Sequence, residues 1–269
     1  MTAPPKLQTR ALSKTFRKRD SELEALRDIS ISVQDGEFVS IVGASGCGKT
    51  TFLRLLNGLI PPSSGTVEID GKLMTKPGGE VAFVFQHDCL LPWRTVLENT
   101  VLGPEIQRRD MGGARKVARE FLRLTGLVNF ESNFPHELSG GMRQRVNLAR
   151  ALTVGADVLL MDEPFAALDA QTRIVMQQEL MRVWRETKKS MVLVTHQIDE
   201  AVYLSDRVFV LTARPGRLKE EIVVDLPRPR GLDVKFTPEF VNLTNHIWTL
   251  IEQEVRLGVE LEEQSFASR

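Results

Sequence analysis

Along the chain, Ile29, Ile31 and Val33 alternate with polar residues, a turn follows at Asp35-Gly36, and the run Phe38-Val39-Ser40-Ile41-Val42 predicts a strand. Together these predict a hairpin. After Lys49 the spacing of Phe52, Leu53, Leu55 and Leu56 predicts a helix, ended by Gly58 and the breaker cluster Pro61-Pro62-Ser63-Ser64-Gly65. Short strands flank Asp70-Gly71, and residues 81–85 predict another apolar strand. From about 90 to 156 the pattern turns helical, with Val117, Phe121, Leu122 and Leu124 marking one face, which predicts an inserted helical subdomain. Strand and helix patterns then alternate: strand at 158–161, helix near 172–188, strand at 191–195, short helix near 198–204, strand at 208–211. Such alternation predicts an α/β fold whose parallel sheet is covered by helices. Pro227-Arg228-Pro229-Arg230-Gly231 breaks the pattern. One amphipathic helix follows, with Phe240, Leu243, Ile247, Leu250 and Ile251 on a single face. The expected division is one domain over 1–230 and a helical tail over 231–269.

Composition narrows the partners. With 269 residues and Lys plus Arg equal to Asp plus Glu at 35 each, no net basic field draws the chain to nucleic acid or anionic lipid. Cys47 and Cys89 are too few for a disulfide framework and suit a reducing, cytoplasmic compartment. No apolar run approaches the roughly 20 residues that cross a bilayer, and residues 1–6 lack a signal-peptide core.

The chemistry begins at Gly43-Ala44-Ser45-Gly46-Cys47-Gly48-Lys49-Thr50, which fits the P-loop pattern and lies between a strand and a helix. Gly43, Gly46 and Gly48 permit a tight, partly left-handed path that turns the N–H groups of the loop, Ser45 and Cys47 included, toward phosphate oxygens. Lys49 adds a point charge, Thr50 a hydroxyl for Mg²⁺, and Thr51 a contact to the inner phosphate; the helix start directs its dipole at the same anion. Asp162 and Glu163 end a buried strand and, by alternation, point to opposite sides of it. Asp162 suits the hydrated Mg²⁺, and Glu163 is left to polarise the attacking water. Without the P-loop the same pair would read as a solvated acidic loop. Ser139 reads as an N-cap, and Gly140 and Gly141 allow close backbone approach before a helix from Met142 to about Leu152, a second anion site. His196 follows a strand, where α/β sheets place ligands, although a lone His there is more often structural.

The P-loop, Leu138-Ser139-Gly140-Gly141-Met142-Arg143-Gln144-Arg145 and Val158-Leu159-Leu160-Met161-Asp162-Glu163 together resemble the nucleotide-binding subunit of an ABC transporter, over nearly the whole chain. That resemblance implies a P-loop NTPase (RecA-like) core with an N-terminal antiparallel β subdomain and the helical insert. It implies ATP and Mg²⁺ as cofactors, His196 at the γ-phosphate, and Gln86 as the glutamine that senses Mg²⁺ and water. Phe16 matches the aromatic that stacks on adenine, while its residue type fits a core position equally well. The resemblance also implies a head-to-tail dimer in which Ser139, Gly140 and Gly141 of one copy face the ATP of the other, with Ala167-Leu168-Asp169 crossing the interface.

Leu91-Pro92-Trp93-Arg94-Thr95, Pro135-His136-Glu137-Leu138, the stretch Pro164-Phe165-Ala166-Ala167-Leu168-Asp169-Ala170-Gln171-Thr172-Arg173, Ala213-Arg214-Pro215-Gly216-Arg217 and Leu226-Pro227-Arg228-Pro229-Arg230 look like the nitrate/sulfonate/taurine class of bacterial importers. That class implies two membrane permease subunits docking near Trp93, a periplasmic or lipid-anchored solute-binding protein, and a peripheral position on the cytoplasmic face of the membrane. On residue types alone the segment around Trp93 fits either core or interface. Ala166 and Gln197 depart from the usual pattern, where glycine and an acidic residue are common. An ABC exporter motor shares the core motifs. A non-transport ABC ATPase acting on ribosome or DNA would bring paired motors, a long coiled-coil insert or basic surface. A P-loop kinase or GTPase would lack the element from Leu138 to Arg145.

Overall fold

The structure is a computed structural model that describes residues 4–18 and 21–267, with side chains described as far as residue 256. It divides into two compact units, residues 1–77 with 192–269, and residues 78–191. In the first, β1 (Leu7–Lys18) pairs antiparallel with β2 (Ser21–Ile29) and with β3 (Ser32–Val33). Ile29, Ile31 and Val33 are all buried, as their alternation predicts, but the strand breaks at Ser30 and Ile31, and β3 pairs with β1 instead of forming the expected hairpin with the strand that follows it. The Thr9 hydroxyl accepts from the Ile31 N–H (3.0 Å) and donates to the Ile29 carbonyl (3.0 Å), replacing ladder bonds with side-chain ones. Next come β4 (Phe38–Gly43), buried at every position, and α1 (Lys49–Leu56), which buries Phe52, Leu53, Leu55 and Leu56. Beyond it, β5 (Ser64–Ile69) pairs with β1 and with β6 (Lys72–Leu73), completing an antiparallel sheet ordered β2-β1-β5-β6.

In the second unit β7 (Val81–Val84) leads to the helices α2 (Val96–Thr100), α3 (Leu102–Ile106), α4 (Met111–Leu124) and α5 (Gly140–Thr153). Their core gathers Val96, Leu122, Leu127, Leu138, Val146 and Ala149. Asp110 caps α4 by accepting from the N–H groups of Gly112 (3.2 Å) and Gly113 (2.7 Å), which offsets the weak helix propensity of that glycine pair. Strand β8 (Val158–Asp162) runs parallel to β7, and α6 (Ala170–Thr187) follows.

The unit boundary falls inside β9 (Ser190–Val194), after which α7 (Ile198–Leu204), β10 (Arg207–Leu211), β11 (Leu218–Val223) and α8 (Pro238–Ala267) complete the first unit. β10 pairs parallel with β4 in the register Arg207↔Val39 through Leu211↔Gly43, and antiparallel with β11. The phosphate loop therefore leaves from the carboxyl end of a buried parallel strand, the usual ligand end of such a sheet. Helix α8 buries Phe240 and Ile247, with Leu243, Leu250 and Ile251 partly covered, as its amphipathic pattern requires. Arg230, only 7% exposed, packs its guanidinium against the end of α7. It donates to the carbonyls of Val202 (3.0 Å), Tyr203 (3.0 Å) and Ser205 (2.6 Å), acceptors that a helix end leaves without partners. Burial pushes the Arg230 guanidinium down to about 10. Among the described residues no helix is long and apolar enough to cross a membrane.

Candidate active site

The phosphate loop joins β4 to α1. Gly46 (φ +75°) and Gly48 (φ +105°) occupy the left-handed region, and Gly48 caps α1 in that conformation. Gly43 has a different reason for its missing side chain: a Cβ there would stand 3.0 Å from the Leu211 carbonyl oxygen and 2.9 Å from Cys47 Sγ. The Lys49 ammonium is buried and folds back over the loop, donating to the carbonyls of Gly43 (2.9 Å) and Ala44 (3.1 Å). The positive charge is thus held at the mouth of the loop. Cys47 is buried, and that burial raises its thiol above the ordinary range, so it fills space as a neutral group. Thr50 and Thr51 lie in the first turn of α1, each partly buried.

Two other candidates lie in the same unit. His196 is exposed, directly after Thr195, whose N–H donates to the Ile41 carbonyl of β4 at 3.2 Å. His196 borders an open cleft of about 400 Å³ shared with Gln197, Asp199, Asn245 and Trp248. Gln197 stands just before α7 at its N-cap position, and its N–H donates to the Thr195 hydroxyl (3.0 Å). Phe16 is 38% exposed, lies within β1 and carries the Lys14 ammonium 5.3 Å from its ring centre, so the core alternative for this residue is excluded.

The remaining candidates belong to the second unit. Asp162 is buried as the last residue of β8, but Glu163 lies beyond the strand with φ +45°. Strand alternation therefore does not set the direction of Glu163, contrary to the sequence expectation; a left-handed turn does. The Glu163 carbonyl accepts from the Ala166 N–H (3.1 Å), so Ala166 sits in an ordinary turn where the usual glycine is not required. Ser139 caps α5 by accepting from the Met142 N–H at 3.3 Å. The two glycines after it differ. A Cβ on Gly141 would stand 2.6 Å from the Thr172 methyl group, so close packing of α5 on α6 accounts for it, whereas Gly140 meets nothing nearer than the Arg143 guanidinium at 3.8 Å. Gly140 is the one left open to an incoming group. Gln86 is exposed just past β7 and shares a cavity of about 210 Å³ with Asp88, Gly140, Arg143, Gln144 and Leu168. Asp88 and Arg143 form an ion pair across it (3.0 Å), and the buried Gln144 amide nitrogen has no acceptor within hydrogen-bond reach. Asp169 caps α6, accepting from the N–H groups of Gln171 (3.1 Å) and Thr172 (3.0 Å), and its carboxyl is held below the usual range first by its hydrogen bond with the Thr172 side chain.

Residues 26–166, more than half of the chain, match the family model described as ABC transporter. The chain belongs to the ABC transporter ATP-binding family. It is similar to the nitrate import ATP-binding protein NrtD of Synechocystis sp., 41% identical over 91% of this chain and 94% of the relative. It is also similar to the taurine import ATP-binding protein TauB of Burkholderia thailandensis, 44% identical over 93% of this chain and 97% of the relative. Among solved structures, a dimeric post-hydrolysis ATP-binding cassette bound to ADP and Pi superposes with a TM-score of 0.71 at 32% identity, covering 84% of this chain and 100% of that one. The fold is thus that of an ABC ATPase, and the chain binds and hydrolyses ATP as its family does.

The support beneath the Trp93 loop escaped the sequence reading. Trp93 is 70% exposed, and the loop that displays it is clamped from beneath by Asn99, which is fully buried. The Asn99 carboxamide accepts from the Leu91 N–H (2.8 Å) and donates to the carbonyls of Leu91 (3.1 Å), Arg94 (3.0 Å) and Thr95 (3.0 Å). A capping box between Thr95 and Glu98 starts α2 beside it. The exposed Trp is therefore presented on a rigid loop, with the core alternative excluded. A buried Asn eight residues from its loop partner carries no local signal in a single sequence.

Proposed function

We propose that this chain is the motor of a bacterial ABC importer that energises uptake of a small anionic solute of the nitrate, sulfonate or taurine type. The nitrate and taurine importer names of two relatives matched over most of both chains support the direction and the solute class. The ATPase domain spans 1–230 with its helical subdomain at about 90–156, and 231–269 form the tail. The observation that carries the reading is the pairing of a preformed phosphate loop, Lys49 poised over it, with a capped helix start at Ser139 whose Gly140 is open. One chain has two anion-binding ends, and a head-to-tail pair uses both on each ATP.

In this scheme the N–H groups of Ser45 through Gly48, Lys49 and Thr51 hold the phosphates, Phe16 stacks on adenine, and Ser139, Gly140 and Gly141 of the second copy close over the γ-phosphate. Thr50, Asp162 and Gln86 would hold Mg²⁺. They offer a hydroxyl, a buried carboxylate and an amide oxygen, a hard-oxygen set that suits this cation. When bound, Mg²⁺ neutralises charge that develops on the phosphate oxygens. Glu163 accepts the proton of the attacking water and His196 orients the terminal phosphate. Closure of two copies pulls on two permease subunits seated around Trp93 at the cytoplasmic face of the membrane, and a periplasmic or lipid-anchored binding protein delivers the solute from the other side.

Glu163→Gln tests the shared site. Loss of the base should slow hydrolysis by about 10²- to 10⁴-fold while ATP affinity stays within about twofold, and sedimentation with ATP and Mg²⁺ should show a dimer. A mutant that stays monomeric at saturating ATP, or that hydrolyses at the wild-type rate, contradicts the scheme.

A further inference from the structure

Behind the phosphate loop stands a second loop, residues 212–217, between β10 and β11. It is tied internally: the Thr212 N–H donates to the Arg217 carbonyl (2.9 Å), and its hydroxyl donates to the Pro215 carbonyl (2.9 Å) and accepts from the Arg217 N–H (2.9 Å). It is also tied to its surroundings. Gly216 exchanges backbone bonds with Ala25 (3.0 Å) and Arg27 (2.9 Å), and a Cβ there would stand 2.2 Å from the Cys47 carbonyl oxygen, so the two loops touch backbone to backbone. On its other side the Ala213 N–H donates to Glu254 of α8 (2.9 Å), whose carboxylate also pairs with Lys219 (2.7 Å). From this frame Arg214 reaches the phosphate loop. Its Nε donates to the Gly46 carbonyl (2.9 Å), and its Nη2 lies 2.9 Å from where a Gly46 Cβ would be.

A nest that aims several N–H groups at one point is unfavourable without an anion, because the aligned dipoles repel and the carbonyls must face away. The left-handed Gly46 is the hinge of that arrangement. We propose that Arg214 is a positioning residue of the ATP site: by holding the Gly46 carbonyl it keeps the phosphate loop in its receptive shape before nucleotide arrives. Glu254 anchors the loop that carries Arg214, which gives helix α8 a physical link to the site. The inference rests on the phosphate-loop reading above and adds a residue to it. Pre-organisation of this kind acts on every nucleotide that uses the loop, ADP and ATP alike.

The test is calorimetric titration of ADP and ATP, each with Mg²⁺, into the wild-type chain, Arg214→Ala, Arg214→Lys and Arg217→Ala, together with unfolding temperatures without nucleotide. Arg214→Ala should weaken both nucleotides by about fivefold, the worth of one exposed hydrogen bond, and the KM for ATP should rise in step while kcat falls much less. Arg214→Lys keeps one donor and should recover part of the affinity. Arg217→Ala, on the same loop with the same charge, should bind as wild type, and Glu254→Gln should weaken both nucleotides less than Arg214→Ala. Unchanged affinity in Arg214→Ala overturns the inference, whether or not the unfolding temperature falls, and so does an equal loss in Arg217→Ala. A wild-type chain that binds neither nucleotide contradicts the phosphate-loop reading itself.

Discussion

Arg230→Ala is the perturbation whose cost follows most directly from the structure. The side chain supplies the carbonyls of Val202, Tyr203 and Ser205 with donors at 2.6 to 3.0 Å, and its second nitrogen lies 3.2 Å from the Val224 carbonyl. Hydrogen bonds from a charged donor contribute about 1.5 to 3 kcal/mol each when removed singly, and buried carbonyls left behind cannot all reach water. Against this stands the cost of burying the guanidinium, expressed in its fall to about 10 and worth about 3 kcal/mol at about 1.4 kcal/mol per pKa unit. The net loss is about 3 kcal/mol, because removing one partner strands the others. For a domain of this size that lowers the unfolding temperature by about 6 to 12 °C. Circular dichroism melts of Arg230→Ala and Arg230→Met measure it. The methionine restores volume but no donor, so it should recover little. A melt within about 2 °C of wild type for both variants would refute the reasoning, since only about 1 kcal/mol or less would then rest on those bonds.

Other outcomes follow from the same geometry. Asn99→Leu keeps the volume under the Trp93 loop but removes its clamp; it should cost about 2 to 3 kcal/mol in denaturant unfolding, and it should weaken permease binding as Trp93→Ala does. A fully stable Asn99→Leu chain that still binds permease would show the clamp to be dispensable. The lowered carboxyl of Asp169 sets a pH dependence. Its folded value lies below the unfolded one, so its stabilisation of α6 is complete above the unfolded range near 3.9 and is lost as pH falls through the lower folded value. Melts from about pH 6 to about pH 3 should therefore fall less steeply for Asp169→Asn, which keeps the cap acceptor without the titration. Parallel acid limbs for the two proteins would count against it.

The sequence carried the phosphate loop, α1 and β8 because their signals are local: glycines at fixed offsets, an apolar run, a helical period. It misjudged where the signal ended. Glu163 reads as the next residue of a strand, yet its left-handed backbone takes it out of the alternation, and only the fold of the turn that follows shows this. Gly140 and Gly141 look equivalent in sequence and differ in what stands opposite them, since the Thr172 methyl group explains one and not the other. Arg214 and Arg230 were visible as members of a class pattern, but their partners, Gly46 and the end of α7, lie far away in the chain. β1 was not legible as a strand of this length, because its register shifts around Ala11 at φ +47° and its residues alternate imperfectly. Ile31 drops out of its strand for a comparable reason, a hydroxyl from Thr9 on another strand.

The central claim, a motor that drives import through separate permeases, is tested most directly by affinity purification of the tagged chain from detergent-solubilised membranes of its own organism, with mass spectrometry of what accompanies it. The account predicts a small multispanning permease in amounts comparable to the chain, recovered with wild type and depleted with Trp93→Ala. Ribosomal proteins or DNA-repair factors in place of a permease would contradict it.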